Sequence, residues 1–282
     1  MKAALIITSL MCEATPLIRA MGLKPARHGE LEDRFQLFHS NNLYLGISGV
    51  GKLRSAVATS ALITQLRSKH SSLVVVNIGI AGAPPLIAER GQLVVVNKVR
   101  DIATNLRLYP DILVKHPALE LPLDTHDHPV TNPPENPALV DMEASGFLQA
   151  ATTLVAPSEV AVLKVVSDYC DGVRIAPDEA SALIEASSDA IISILDGLRS
   201  TLSEHPELSA EEKSMMGDVV VHARLSVTQK IELGRRLRAK KAQGEPFVPL
   251  LQELLAKQIS NKDERRVVFD ELLRGLDGAS LP

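Results

Sequence analysis

The chain has 282 residues, of which 45% are hydrophobic but only 3% aromatic, with no Trp and a net charge of −4. That length exceeds one small domain and fits one large domain plus an appendage, with a core of Leu, Val, Ile and Ala. The acidic balance argues against general polyanion binding. Two Cys, Cys12 and Cys170, argue against a disulfide framework and for a reducing compartment. No apolar run approaches the ~20 residues that span a bilayer, and the first residues lack a signal-peptide pattern. The expectation is a soluble cytoplasmic protein.

In chain order, apolar runs at 3–8, 43–47, 73–78, 92–97 and 160–166 are short and rich in Val, Ile and Leu. Strands buried on both faces read this way. Helical spacing falls between several of them, at 53–68, 143–153 and 180–202, which predicts an α/β layer structure. The first strand runs into Leu10-Met-Cys-Glu-Ala-Thr-Pro16, and the second into Ser48-Gly-Val-Gly-Lys52. The third ends in Ile78-Gly-Ile-Ala-Gly82. Both Gly-containing turns let backbone approach a ligand, or serve as tight turns without one. Gly46 to Leu53 falls one residue short of a P-loop, because Leu53 stands where a Ser or Thr would hold Mg²⁺.

Residues 101–138 carry His116-Pro, Leu121-Pro, His128-Pro and Asn132-Pro-Pro-Glu-Asn-Pro137. The prolines predict a long ordered loop with one short helix. Asp124-Thr-His-Asp-His128 gathers acids and imidazoles but matches no standard metal spacing. Leu139-Val-Asp-Met-Glu-Ala-Ser-Gly146 then places Glu143 at a helix start, and Val165-Val-Ser-Asp-Tyr-Cys-Asp171 places Asp168 and Asp171 after a strand. Carboxyl ends of strands and amino ends of helices line the crevice of α/β folds. Acids there suit sugar hydroxyls and proton transfer to a leaving group, or they are ordinary helix caps.

After residue 202 the texture changes. A polar junction at 203–212 leads to amphipathic helices at 227–241, 248–259 and 264–276. The expected domains are 1–204 and 205–282. Arg235-Arg-Leu-Arg-Ala-Lys-Lys241 is a basic cluster for an acidic partner or nucleic acid. The plainer reading, a solvated face near a helix C-terminus, is preferred, since no aromatics interleave with it.

This ordered series of strands, Gly turns and acids resembles the purine nucleoside phosphorylase/nucleosidase family. It is most similar to the methylthioadenosine/S-adenosylhomocysteine nucleosidase branch, over roughly residues 1–199 with a gap near 101–138. The resemblance implies a phosphorylase/nucleosidase-like three-layer α/β core with a helical C-terminal appendage. It implies hydrolysis of the N-glycosidic bond of a purine or 5′-modified nucleoside. Asp168 would be the general acid to the base, Glu143 would accept from the ribose hydroxyls with Met142 packed on the sugar, and Glu13 would position the water. Gly79, Ile80, Lys164 and Ser167 complete the implied substrate site, with neither metal nor cofactor. The implied assembly is a homodimer. Family phosphorylases carry an Arg where this chain has Asn77, and residues 8–16 hold no Arg or Gly, which favours water over phosphate as nucleophile.

Three departures accompany the resemblance. Ile80 replaces a Ser, Lys164 replaces an Arg, and Arg174-Ile-Ala-Pro-Asp178 lacks the aromatic that covers the purine. Tyr109, Phe147 and Tyr169 are the candidate stacking partners. A nucleoside-sensing module with weakened catalysis, its C-terminal helices acting as effector, is the alternative reading.

Overall fold

The computed structural model describes residues 2–26, 34–70, 72–132, 134, 137–201, 208–242, 244–259 and 261–276. Its contacts divide the chain into two compact units, Met1–Leu202 and Ser203–Pro282. Of the polar junction, residues 203–207 lie outside the described residues.

The first unit is built on one mixed sheet. Its centre is β1 (Ala3–Thr8), with β4 (Leu43–Ile47) on one side and β5 (Leu73–Gly82) on the other, all parallel. Two short strands, β2 (Lys24–Pro25) and β3 (Gln36–Ser40), extend the β4 edge antiparallel. Beyond β5 lies β10 (Val160–Asp168), parallel to β5 and antiparallel to β6 (Leu93–Asp101). A two-residue strand, β7 (Arg107–Leu108), pairs with the far end of β6. Strand β8 (Leu119–Thr125) follows β6, and β9 (Leu139–Asp141) bridges β8 back to β5 at Gly82 and Val140. Strands β5, β10, β6, β8 and β9 therefore close a ring of pairings.

The sheet sorts its side chains by the period of two. Ala3, Leu5 and Ile7 of β1, with Val160, Val162 and Val166 of β10, face α2 (Lys52–Arg67) and α3 (Ala144–Leu154). Ala4 and Ile6, with Ala161, Leu163 and Val165, face α1 (Met11–Ala20), α4 (Pro177–Ala186) and α5 (Ser188–Thr201). Both faces are covered, which is why these strands read as continuous apolar runs. Gly146 fixes the α2–α3 approach: a Cβ there would stand 1.9 Å from the Lys52 carbonyl oxygen.

Several expectations need correction. Residues 101–138 are not a loop with one short helix, since they contain β7 and β8. Pro122 lies inside β8 without breaking it because the β6–β8 register shifts between Val96 and Lys98, beside the Lys98–Pro122 pair. A missing N–H is tolerated at such an irregularity. Residues 11–20 form α1 despite Pro16. A proline in mid-helix strands the carbonyl four residues back, and that carbonyl, on Cys12, accepts instead from the Ser181 hydroxyl at 2.7 Å. The single helix expected at 180–202 is two helices, parted at Ser187.

The second unit contains α6 (Ala210–His222), α7 (Val227–Ala242), α8 (Val248–Ala256) and α9 (Lys262–Leu276). Leu208, Val219, Leu233, Leu237, Phe247, Leu251, Leu254, Phe269 and Leu272 form its core. Ser209 and Glu212 cap α6 reciprocally. Leu237 is buried as its spacing predicts, but Val227 and Ile231 are 75% and 65% exposed, so the stripe expected along α7 is only partly used. The basic run is largely neutralised within its own unit. Arg235 and Arg236 pair with Glu232, Lys240 with Glu245, and Lys241 with Glu212.

No helix among the described residues is long and apolar enough to cross a membrane.

Candidate active site

A cavity of about 640 Å³ lies at the ends of β5, β9 and β10. Ile80, Ala81 and Gly82 of β5, Val140 and Met142 of the β9–α3 turn, and Ser167 and Asp168 of β10 line its inner wall. Pro129, Val130 and Thr131 enter from the segment after β8, and Cys170 and residues 172–175 from the segment before α4. Of the residues implied by the resemblance, Ile80, Met142, Ser167 and Asp168 are thus on the cavity wall.

Asp168 ends β10. Its Oδ2 accepts from the Ser167 hydroxyl at 2.6 Å and its Oδ1 from the Cys170 N–H at 2.9 Å. The plain alternative for this acid, a helix cap, fails on position: the next helix, α4, begins nine residues later at Pro177. Gly82 leaves the room this carboxylate occupies, since a Cβ there would meet Cys170 Sγ at 2.6 Å and Asp168 Oδ1 at 3.0 Å. Burial, with the Asp168 and Asp171 charges, pushes the Cys170 thiol up to about 11, so it is not a thiolate nucleophile.

Glu13, Glu143, Lys164 and Gly79 form a buried cluster just behind that wall. Glu13 sits in the first turn of α1 and bends back to the ends of two strands. Its Oε2 accepts from the Ser9 and Leu10 N–H groups, each at 2.9 Å, and its Oε1 from the Ile80 N–H at 3.0 Å. Gly79 supplies the space, because a Cβ there would stand 2.7 Å from Glu13 Oε1. Glu143 accepts from the Gly51 N–H at 2.8 Å and from the Met142 N–H at 3.4 Å. Gly51, at φ 104°, needs the freedom of glycine to aim that donor. Both Gly turns therefore serve carboxylates of the chain itself. The main-chain donors of Ile80 and Met142, whose residues form the cavity wall, tie the two acids to it.

Lys164 lies between the acids. Its Nζ is 2.9 Å from Asp141 Oδ2, and both side chains are 1% exposed. Asp141 also accepts from the Thr125 hydroxyl at 2.8 Å and from the Ala144 N–H at 2.9 Å, so it is Asp141 that caps α3. Burial alone would lower the Lys164 pKa; the charges of Asp141, Glu143 and Glu13 outweigh it and raise it. Burial pushes Glu13 above the usual carboxylate range, against Lys164 and three main-chain donors. Burial, then the Asp141 charge, push Glu143 up to about 7, against Lys164 and the Gly51 N–H. A carboxyl poised there can hold or release a proton near neutrality.

The structure shares its fold with known nucleosidases. It is similar to the 5′-methylthioadenosine nucleosidase of Arabidopsis thaliana in apo form, at 18% identity and a TM-score of 0.59, over 72% of this chain and 98% of that one. The 5′-methylthioadenosine/S-adenosylhomocysteine nucleosidase of Colwellia psychrerythraea 34H, solved in complex with adenine, matches at 21% identity and a TM-score of 0.54, over 70% and 96% of the two chains. The futalosine hydrolase of Helicobacter pylori strain 26695 matches at 15% identity and a TM-score of 0.54, over 69% and 97%. This chain has the nucleosidase fold. Neither a protein-family model nor a curated protein sequence matches it.

Within this nucleosidase fold, two features differ from the reading of the sequence. Among the described residues, no aromatic ring lines the cavity. Phe147 is fully buried in the core, Tyr109 is 62% exposed, and the Tyr169 hydroxyl accepts from the Arg90 N–H at 3.4 Å. Asp141, which carries the pairing of Lys164, drew no role from sequence, although it opens the Asp-Met-Glu run. The acids of the 124–128 segment are engaged by cations: Asp124 by Arg100, and Asp127 by Lys52 at 3.0 Å. Lys52 also meets Asp101 at 2.9 Å. Burial pushes the Asp101 carboxyl up, but Lys52, Thr104 and Ser145 outweigh it and hold it at about 2.

Proposed function

We propose that the first unit hydrolyses the N-glycosidic bond of a purine nucleoside or 5′-modified nucleoside. The observation that carries this reading is the placement of Asp168 on the wall of one cavity, with Glu13 and Glu143 fastened behind the same wall through Ile80 and Met142. Asp168 hands a proton to the departing base. Glu143 accepts from the ribose hydroxyls as oxocarbenium character develops, with Met142 against the sugar. Glu13 holds and deprotonates the water, and Lys164 tempers the charge of the acids.

Water rather than phosphate is the proposed nucleophile. Asn77, standing where a phosphate-binding Arg would, is wholly buried and donates to the Ile7 carbonyl at 3.0 Å. The homodimer belongs to the same proposal, as does a domain boundary near residue 204. Truncation after Glu204 should leave a folded, active core.

The decisive assay is release of free base from a panel of purine nucleosides, with and without phosphate. Equal rates and a free sugar product are expected. Phosphate dependence with sugar 1-phosphate as product overturns the hydrolase. Tight nucleoside binding without any base release would favour the sensing module, a reading the departures at Ile80 and Lys164 support.

A further inference from the structure

We propose that the substrate carries an anionic group, a phosphate or a carboxylate, which Arg174 receives at the cavity rim. This rests on the nucleosidase reading and narrows its substrate class. Among the described residues, the charged ones that line the cavity are Asp168 and Arg174. Asp168 is held by Ser167 and Cys170, whereas the exposed Arg174 has no hydrogen-bond or ion-pair partner among the described residues. Its acidic neighbour in sequence is engaged elsewhere, since Asp171 accepts from the Val173 N–H at 3.1 Å. Positive φ at Cys170 and Gly172, 57° and 81°, turns the chain back after Asp168. A Cβ at Gly172 would lie 3.6 Å from Thr131 Cβ. The loop bearing Arg174 thus meets the segment bearing Thr131, whose side chain also lines the cavity.

The rest of the lining makes a cation there informative. Ile80, Val130, Val140 and Ile175 give a base aliphatic contact but no ring to stack on. Affinity therefore has to come from polar contacts, and a guanidinium offers a forked pair of donors that matches phosphate or carboxylate oxygens. In the reaction the C1′–N bond breaks and a C1′–O bond forms to water. The water proton passes to Glu13, and the base nitrogen is protonated from Asp168. The anionic group takes no part in these bond changes and leaves with the fragment that bears it.

The test compares adenosine with adenosine 5′-monophosphate, and adenosine with its 5′-carboxylate analogue, as substrates for release of adenine by the full chain. Wild type should favour at least one anionic partner in kcat/KM. Arg174→Ala should lower kcat/KM for that substrate about 10- to 100-fold, mainly through KM, as expected for loss of a charged hydrogen bond. Arg174→Lys should restore part of it, keeping the charge without the fork. Equal or better use of adenosine by wild type overturns the inference while leaving the nucleosidase standing. If none of these compounds releases adenine, the wider purine nucleoside panel judges the nucleosidase reading, and equilibrium binding of adenosine 5′-monophosphate judges this inference. Binding weakened in Arg174→Ala supports anion recognition; binding indifferent to that change overturns it.

Discussion

Replacing Glu143 by Gln should make the protein more stable at pH 8 while lowering its activity. The side chain is 8% exposed, and its carboxyl is pushed from 4.5 up to about 7 by burial first and the Asp141 charge second. A carboxyl with a folded-state pKa above its unfolded value binds its proton more tightly in the folded chain. That contribution to stability is fully present below about pH 4.5 and is lost as the pH rises through about 7. Each tenfold of proton affinity is about 1.4 kcal/mol, so the whole effect is on the order of 3 kcal/mol. Gln keeps the shape and an acceptor for the Gly51 N–H but never ionises. Relative to wild type, Glu143→Gln should therefore gain stability between pH 5 and pH 8. For a unit of this size the gain corresponds to roughly 5–10 °C in the difference between the two Tm values. Thermal unfolding of both proteins across that range, followed by circular dichroism, reads it directly. A variant equally destabilised at both ends of the range would refute the assignment of a costly buried charge to Glu143. Base release should fall in the same variant, because Gln cannot accept from the ribose hydroxyls as an anion does.

Asp168→Asn should lower kcat about 10²-fold or more with nucleoside binding preserved, and wild-type turnover would remove Asp168 from the mechanism. Gly79→Ala puts a methyl 2.7 Å from Glu13 Oε1; it should cost about 1–3 kcal/mol in denaturant unfolding and disable water positioning, with more activity lost than stability. Lys164→Met leaves three buried acids without their cation and should destabilise by roughly 3–5 kcal/mol. Adding Asp141→Asn should recover part of that loss, and a purely additive double variant would deny the coupling of the pair.

Much of the frame is legible in the sequence because strands buried on both faces leave unbroken runs of Val, Ile and Leu, as at 73–78 and 160–166. Strand β8 escapes that rule. Its Leu-Glu-Leu-Pro-Leu-Asp-Thr is partly exposed at its start and carries a proline, and only the register of β6 explains why the proline is harmless. The acids were legible as residues but not as a network. Glu13 draws on donors from residues 9, 10 and 80, and Lys164 reaches Asp141 across two strand ends. Contacts of that range leave no mark in local spacing. The turns holding Gly79 and Gly51 read as room for a ligand or as tight turns without one; in the structure Gly79 makes room for Glu13 and Gly51 aims a donor at Glu143.

The same network predicts how a substrate should change the proton count. Asp141, Glu143 and Glu13 surround the one ammonium of Lys164, so full ionisation would leave an excess of buried negative charge. Desolvation displaces both Glu13 and Glu143 upward, and for Glu143 the Asp141 and Glu13 charges add to it. A ribose diol donating to Glu143 stabilises its ionised form, and donors to a charged form lower its pKa. Nucleoside binding should therefore expel a proton where Glu143 is still substantially protonated in the free protein. Calorimetric titration near pH 6, repeated in buffers of different ionisation enthalpy, should show net release of up to about one proton, shrinking toward pH 8. Affinity should rise with pH over that interval, since the free protein no longer has to lose the proton. Glu143→Gln should abolish both effects while leaving other proton linkages in place. Proton uptake on binding, or release that persists unchanged in Glu143→Gln, would place the diol elsewhere.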